Sequence, residues 1–154
     1  MKKYSLLQLM LAALLLAGCL PAPTAEATPT SALPYRITQE DNPYAPVTGD
    51  PGQQQAEITL TSVTLIERTE LEPPRVAVVL QGLMPSVCNE LRIEVRPPDE
   101  TFRIIIEAYS LVNPTVQCDN VFQQFEATVL LGTFSPGRYT VWVNETYSGD
   151  FVVN

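Results

Sequence analysis

Leu91-Arg92-Ile93-Glu94-Val95-Arg96-Pro97-Pro98-Asp99-Glu100-Thr101-Phe102-Arg103-Ile104-Ile105-Ile106-Glu107-Ala108 alternates apolar and charged side chains on either side of a Pro-Pro-Asp-Glu break. Successive side chains on a strand point to opposite faces, so Leu91, Ile93 and Val95 share one face while Arg92, Glu94 and Arg96 share the other. After the break, Phe102, Ile104, Ile106 and Ala108 resume the apolar set. Two such runs joined by turn residues predict a β-hairpin. A turn over Pro97 to Glu100 sets Val95 opposite Phe102 and Ile93 opposite Ile104, with Glu94 and Arg103 as neighbours on the polar face.

The same period of two extends outward in both directions, and no run has helical spacing. Upstream, Glu57 to Arg68 places Ile58 and Leu60 on one parity and Val63 and Leu65 on the other, which implies a bulge near Thr61-Ser62. Arg75 to Leu80 is apolar at nearly every position, as expected of a central strand. Downstream, Phe125, Ala127, Val129 and Leu131 form one inward set, Tyr139, Val141 and Val143 another, and Phe151 and Val153 the last. The expected fold is all-β: a seven-stranded Greek-key β-sandwich of immunoglobulin or fibronectin type III kind. Leu131 to Tyr139 resembles the corner that leads into the sixth strand of such sandwiches. On that resemblance Tyr139 enters the core while its hydroxyl bonds backbone a few residues upstream, near Thr133.

Composition limits what this domain can do. The chain has 154 residues; of its nine basic residues Lys2 and Lys3 lie near the start and the other seven are Arg, against 17 acidic residues. Without a basic patch to displace counterions from phosphates, no nucleic-acid partner is expected. Histidine is absent, which removes His-based triads and His-based zinc sites from consideration. Glu67, Glu70 and Glu72, and the turn pair Asp99-Glu100, read as solvated loop charge, with a loose calcium site as the alternative. No metal, cofactor or catalytic residue is assigned, and the protein is not expected to be an enzyme.

The first residues read as an address. Lys2 and Lys3 precede an apolar run from Leu6 to Leu16, too short to span a bilayer and followed at once by Pro21 and Pro23. Leu16-Ala17-Gly18-Cys19 closes that run and resembles a bacterial lipoprotein signal. The resemblance implies that residues 1–18 are a signal peptide and that Cys19 becomes the lipidated N-terminus. The protein is then held on the extracytoplasmic side of a membrane in the bacterial cell envelope. Three acyl chains hold far more firmly than one, at about 0.8 kcal/mol per buried methylene. Residues 19–55 are rich in Pro, Thr and Ala and read as a disordered tether. Tyr35-Arg36-Ile37 and Asp41 to Pro46 are less plainly spacer, and strapping onto the domain as an edge segment is the alternative. The sandwich is expected over residues 56–154.

Cys88, Leu91-Arg92, Tyr109 to Pro114, Cys118, Phe125 and Tyr139 to Asn144, together with Asp41 to Pro46, look like an uncharacterised group of bacterial envelope lipoproteins. The resemblance spans roughly residues 40–154. It implies fold and location, and carries no activity with it.

Two further expectations concern specific side chains. With Cys19 lipidated, Cys88 and Cys118 remain as an even pair outside the cytoplasm, most simply one disulfide. Trp142, the sole tryptophan, has the opposite parity to Val141 and Val143 and belongs on the outer sheet face. In a fibronectin-like strand order it neighbours the strand of Arg92, with Ile105 and Tyr109 continuing the face. Arginine stems laid across the indole explain such a face locally. The functional reading is that Trp142, Tyr109, Ile105 and Arg92 anchor a protein or glycan partner, since Trp, Tyr and Arg dominate interface hot spots. The expected function is a membrane-anchored binding or adhesion module, the alternative a structural accessory subunit of an envelope complex. Asn144-Glu145-Thr146 matches a glycosylation sequon by letter but reads as the turn of the last hairpin.

Overall fold

The structure, a computed structural model, describes residues 35–154, so the expected signal peptide, Cys19 and the part of the expected tether before Tyr35 lie outside the described residues. The elements in chain order are β1 (Gln54–Ala56), β2 (Thr59–Arg68), β3 (Arg75–Met84), β4 (Glu90–Val95), β5 (Arg103–Val112), β6 (Gln123–Leu130), β7 (Gly137–Val143) and β8 (Thr146–Val153). They form two sheets. One is three-stranded in the order β2-β3-β6; the other has five strands, with β4 on one side of β5 and both β7 and β1 on the other, and β8 beyond β7. β7 runs parallel to β5 along Arg103–Ile106, and β1 runs antiparallel to it along Ser110–Val112, so the two share one flank of β5 end to end.

The alternating residues do what their period dictates. Val78, Leu80, Ile93, Ile104, Ile106, Ala127, Val129, Val141 and Val143 are buried between the sheets. β3 is the middle strand of its sheet, and β2 shifts register between Leu60 and Ser62, leaving Thr61 as the bulged residue. The bulge returns Val63 and Leu65 to the core face shared by Ile58 and Leu60.

Four expectations are corrected. The strands number eight rather than seven, because Gln54–Ala56 pairs with β5 through its backbone and carries no apolar alternation to announce it. The hairpin register is four residues longer than a turn at Pro97–Glu100 predicts: Val95 lies opposite Ile106 and Ile93 opposite Ala108. Pro97 and Pro98 offer no N–H, and the reversal is made by Asp99, whose Oδ1 accepts from the Thr101 N–H (2.8 Å), the Thr101 hydroxyl (2.6 Å) and the Arg103 N–H (3.1 Å). Phe102 sits in that turn at φ 59° and half-exposed, not in the strand. A slip of four keeps every side chain within β4 and β5 on its expected face, so apart from Phe102 only the partners change; Glu94 faces Glu107 rather than Arg103.

The third correction is strand order. β7 lies between β5 and β8 instead of beside β4, so β4 is the edge of its sheet. The fourth is the boundary of the folded part. Residues 35–53 are not tether; they strap onto the sandwich. Asp41 and Tyr44 bridge the two sheets on one side: the Asp41 carbonyl accepts from Leu130 N–H of β6 (2.9 Å), and the Tyr44 carbonyl accepts from Ile93 N–H of β4 (2.8 Å). Asn42, buried between them, donates from Nδ2 to the Ile93 carbonyl (2.7 Å). Arg75 holds the Asp41 carboxylate (2.9 Å) and also donates to the Leu131 carbonyl (2.8 Å). Edge strands with unpaired backbone need covering, and the strap covers β4.

Tyr35, at the start of the strap, packs on Phe134 (5.4 Å between ring centres), which continues through Tyr139 (4.8 Å) and Phe151 (5.4 Å). These rings plug one end of the sandwich. The buried Tyr139 donates its hydroxyl to the Ser135 carbonyl at 2.9 Å, four residues upstream.

Candidate partner-binding face

The five-stranded sheet turns one face to the core and the other outward, and the outward parity collects Arg92 and Glu94 of β4, Arg103, Ile105, Glu107 and Tyr109 of β5, and Thr140 and Trp142 of β7. Backbone register arranges them in rows. Ile105 is the partner of Trp142 across the parallel β5–β7 pair, and Tyr147 is its partner on β8. One step along, Arg103 faces Thr140, and Thr140 faces Asp150. In the other direction Glu107 faces Glu94, and beyond them Tyr109 faces Arg92.

Trp142 is half-buried, with its indole N–H directed to Thr140 Oγ1 (3.3 Å). Tyr147 meets it edge to face at 5.7 Å between centres, and the Arg103 guanidinium carbon stands 6.0 Å from the indole centre. A contact of that kind contributes about 0.5–1 kcal/mol at an exposed site. Tyr147 is 50 % exposed, and its hydroxyl donates to Asp150 Oδ1 (2.8 Å), a bond that raises the phenol's pKa and lowers the carboxyl's. Arg138 holds the other Asp150 oxygen (2.9 Å). The rings are therefore held in place before any partner arrives, which reduces the entropy lost on binding.

Of the four residues expected to act together, the structure brings Trp142 and Ile105 side by side but sets Tyr109 and Arg92 apart as a second pair. Ile105 and Tyr109 are four residues apart on one strand, about 13 Å, with Glu107 between them. Arg92 is also engaged elsewhere. Its guanidinium donates twice from Nε and once from Nη2 to Asp50 of the strap (2.8–3.0 Å), and from Nη2 to Glu90 (2.9 Å). These bonds raise the pKa of Arg92, and the Arg92 bonds lower that of Asp50. Burial, then the nearby Glu94 and Asp50 carboxylates, raise the Tyr109 phenol.

Arg103, Tyr147 and Asp50 were missed. Tyr147 was legible: a two-residue turn at Asn144-Glu145 puts Tyr147 opposite Trp142 by counting, but with only Phe151 and Val153 read as the last strand it fell into the turn. Arg103 and Asp50 were not, since one depends on the parallel pairing of β5 with β7 and the other on the strap.

Cys88 and Cys118 form a disulfide with 6.2 Å between their Cα atoms. It joins the β3–β4 and β5–β6 connections at the end of the sandwich away from Tyr35. Beneath it a buried polar chain fixes the first loop: Ser86 Oγ donates to Asn89 Oδ1 (2.6 Å), Asn89 Nδ2 donates to Ser110 Oγ (3.0 Å), and Ser110 Oγ donates to the Ala56 carbonyl (3.1 Å). The carboxylates weighed as loop charge do not converge. Among the described residues no three Cys, Asp or Glu side chains gather as a metal site would need.

No curated protein and no solved structure matches this chain. From Val78 to Val153, which runs from within β3 through β8 and so includes strands of both sheets, it is similar to the family described as the ORF11 beta-sandwich domain.

Proposed function

We propose that the protein is a lipid-anchored module of the bacterial cell envelope, displayed on the extracytoplasmic side, that binds a protein or glycan partner without catalysing a reaction. One observation carries the reading. Trp142, Tyr147 and Ile105 form a continuous row on the outer sheet face, with Arg103 beside it, and none of the four is among the buried residues of the core. Large aromatic and arginine side chains presented on a rigid sheet are the composition of interface anchors, and they lose little conformational freedom when covered. The Arg92–Tyr109 pair lies on the same face, where Asp50 fixes the arginine as a rim rather than an anchor. The envelope location rests on Leu16-Ala17-Gly18-Cys19 and its resemblance to lipoprotein signals.

Photo-crosslinking in intact cells of the source organism tests both halves of the proposal. With a photoreactive residue at Arg138 of the outer face, an adduct should form and should disappear in Trp142→Ala, while the thermal midpoint moves by only a few degrees. A fatty-acid probe should label the mature chain and fail to label Cys19→Ala. Persistence of the adduct in Trp142→Ala, or a loss of several kcal/mol of stability, shows that Trp142 serves packing instead. A partner that co-purifies at fixed stoichiometry after mild detergent extraction favours the accessory-subunit reading.

A further inference from the structure

Among the described residues five strands lie at a sheet edge, and four are guarded; β1 is only three residues long. The strap covers β4. β2 is interrupted at its bulged Thr61, and β8 has its own register break at Ser148, opposite Val141–Trp142. Bulges of this kind twist an edge away from pairing. β6 has no bulge, proline, lysine or arginine, and pairs continuously with β3 from Gln123 to Leu130.

The direction of its free backbone groups follows from two bonds. Leu131 N–H points to Val76 of β3, whereas Leu130 N–H points away from β3 to Asp41 of the strap. Alternation along an antiparallel ladder then turns the N–H and C=O of Thr128, Glu126 and Gln124 outward too. Among the described residues no backbone group pairs with them. About 14 Å of strand edge is thus open, closed at one end by the strap. At its other end stand Val121 and Phe122, 58 % and 70 % exposed, beside the disulfide-bonded Cys118 and the exposed Val116.

We propose that the β6 edge receives an extended segment of another protein as a fourth strand of the β2-β3-β6 sheet. Backbone bonds to Gln124, Glu126 and Thr128 supply the pairing, and an aliphatic residue beyond Gln124 covers Val121 and Phe122. Charge selects the occupant. Glu126, whose carboxylate accepts from Gln81 Nε2 (2.7 Å), lies at the centre of the open stretch and calls for Lys or Arg opposite it. A second copy pairing antiparallel about Glu126 would set two carboxylates face to face, which is destabilising. The disulfide holds the apolar end in place, so the site is built before the partner arrives.

The test uses the full chain in detergent as bait for a displayed library of random octapeptides. Selected peptides should alternate, with Lys or Arg at one central position. Bound peptide should slow amide exchange at Gln124, Glu126 and Thr128 by at least about tenfold while leaving the amides around Trp142 unchanged. Thr128→Pro removes one outward N–H that takes no part in the β3 ladder and should weaken binding by about tenfold or more, roughly 1.4 kcal/mol. Should that variant fail to fold, Glu126→Lys serves instead: affinity for the selected peptide should fall and should return when its basic residue is changed to Glu. Selection of no peptide, protection confined to residues outside 121–130, or edge-to-edge dimers of the chain itself in sedimentation would each overturn the proposal.

Discussion

Asn144 shows how much one side chain can do in a sheet with a gap. β7 ends opposite Ile106 and β1 ends opposite Ser110, so the β5 backbone at Ala108 has no strand beside it on that flank. The Asn144 amide fills the gap as a peptide group would: its Oδ1 accepts from Ala108 N–H (2.8 Å) and its Nδ2 donates to the Ala108 carbonyl (2.8 Å). Its own N–H continues the β7 ladder to the Ile106 carbonyl (3.0 Å). Asn144 and Glu145 both have positive φ, 45° and 64°, the two-residue turn that suits the twist of a hairpin. Asparagine tolerates that backbone and carries the right amide, so the residue meets two demands at once. Asn144→Ala leaves a strand donor and acceptor unpaired, and urea denaturation should show a loss of about 1–3 kcal/mol. Reading Asn144 as turn chemistry was correct as far as it went; its bonds to Ala108 depend on where β7 stops, which no local pattern records.

At the scale of elements, the strap contributes to the response to acid, alongside Asp99 of the β4–β5 turn, whose carboxyl is also lowered to about 2 by its bonds from Thr101 and Arg103. Burial disfavours the Asp41 charge, but hydrogen bonds from Arg75 and Thr38 outweigh it and lower the carboxyl from its ordinary 3.8 to about 2. Asp50 is lowered as well, chiefly by Arg92. Between those two values for Asp41 the unfolded chain binds more protons than the folded one, so stability declines as pH falls through the window from about 4 to 2. Thermal midpoints taken from pH 5 down to pH 2 should fall, and Asp41→Asn should lower the midpoint at pH 5 and flatten the slope below it. An unchanged slope would mean that the strap contributes nothing to the linkage. The strap also explains why composition misled. Few apolar residues and many prolines describe a segment that cannot fold alone, and this one has no need to, because its bonds go to backbone groups of β4 and β6 already placed by the sandwich.

Across the whole molecule, two devices close the ends of the sandwich: aromatic rings from Tyr35 to Phe151 at one, and the Cys88–Cys118 disulfide at the other. The bond closes a separation of 30 residues, for which the chain-entropy account gives about 3–4 kcal/mol. Reduction, or Cys88→Ser with Cys118→Ser, should therefore lower unfolding free energy by that amount, and equal denaturation midpoints with and without reductant would refute it. What the sequence determined by itself is the apolar core of seven of the eight strands, the face that their alternating side chains take, where β2 bulges and which cysteines pair. Strands, faces and bulge are set by the period of two between neighbours on one chain, and the pairing by there being only two cysteines after Cys19. Tertiary structure alone decided that β7 joins β5, that the β4–β5 register slips by four, that Arg92 turns to Asp50 and that residues 35–53 are structural. The pairing of β7 with β5 and the docking of residues 35–53 depend on which distant backbone donors and acceptors remain to be satisfied once the sheets have stacked, and backbone groups are the same at every residue; the Arg92–Asp50 pair follows from that docking, and the register slip from the Asp99 side chain's choice of donors.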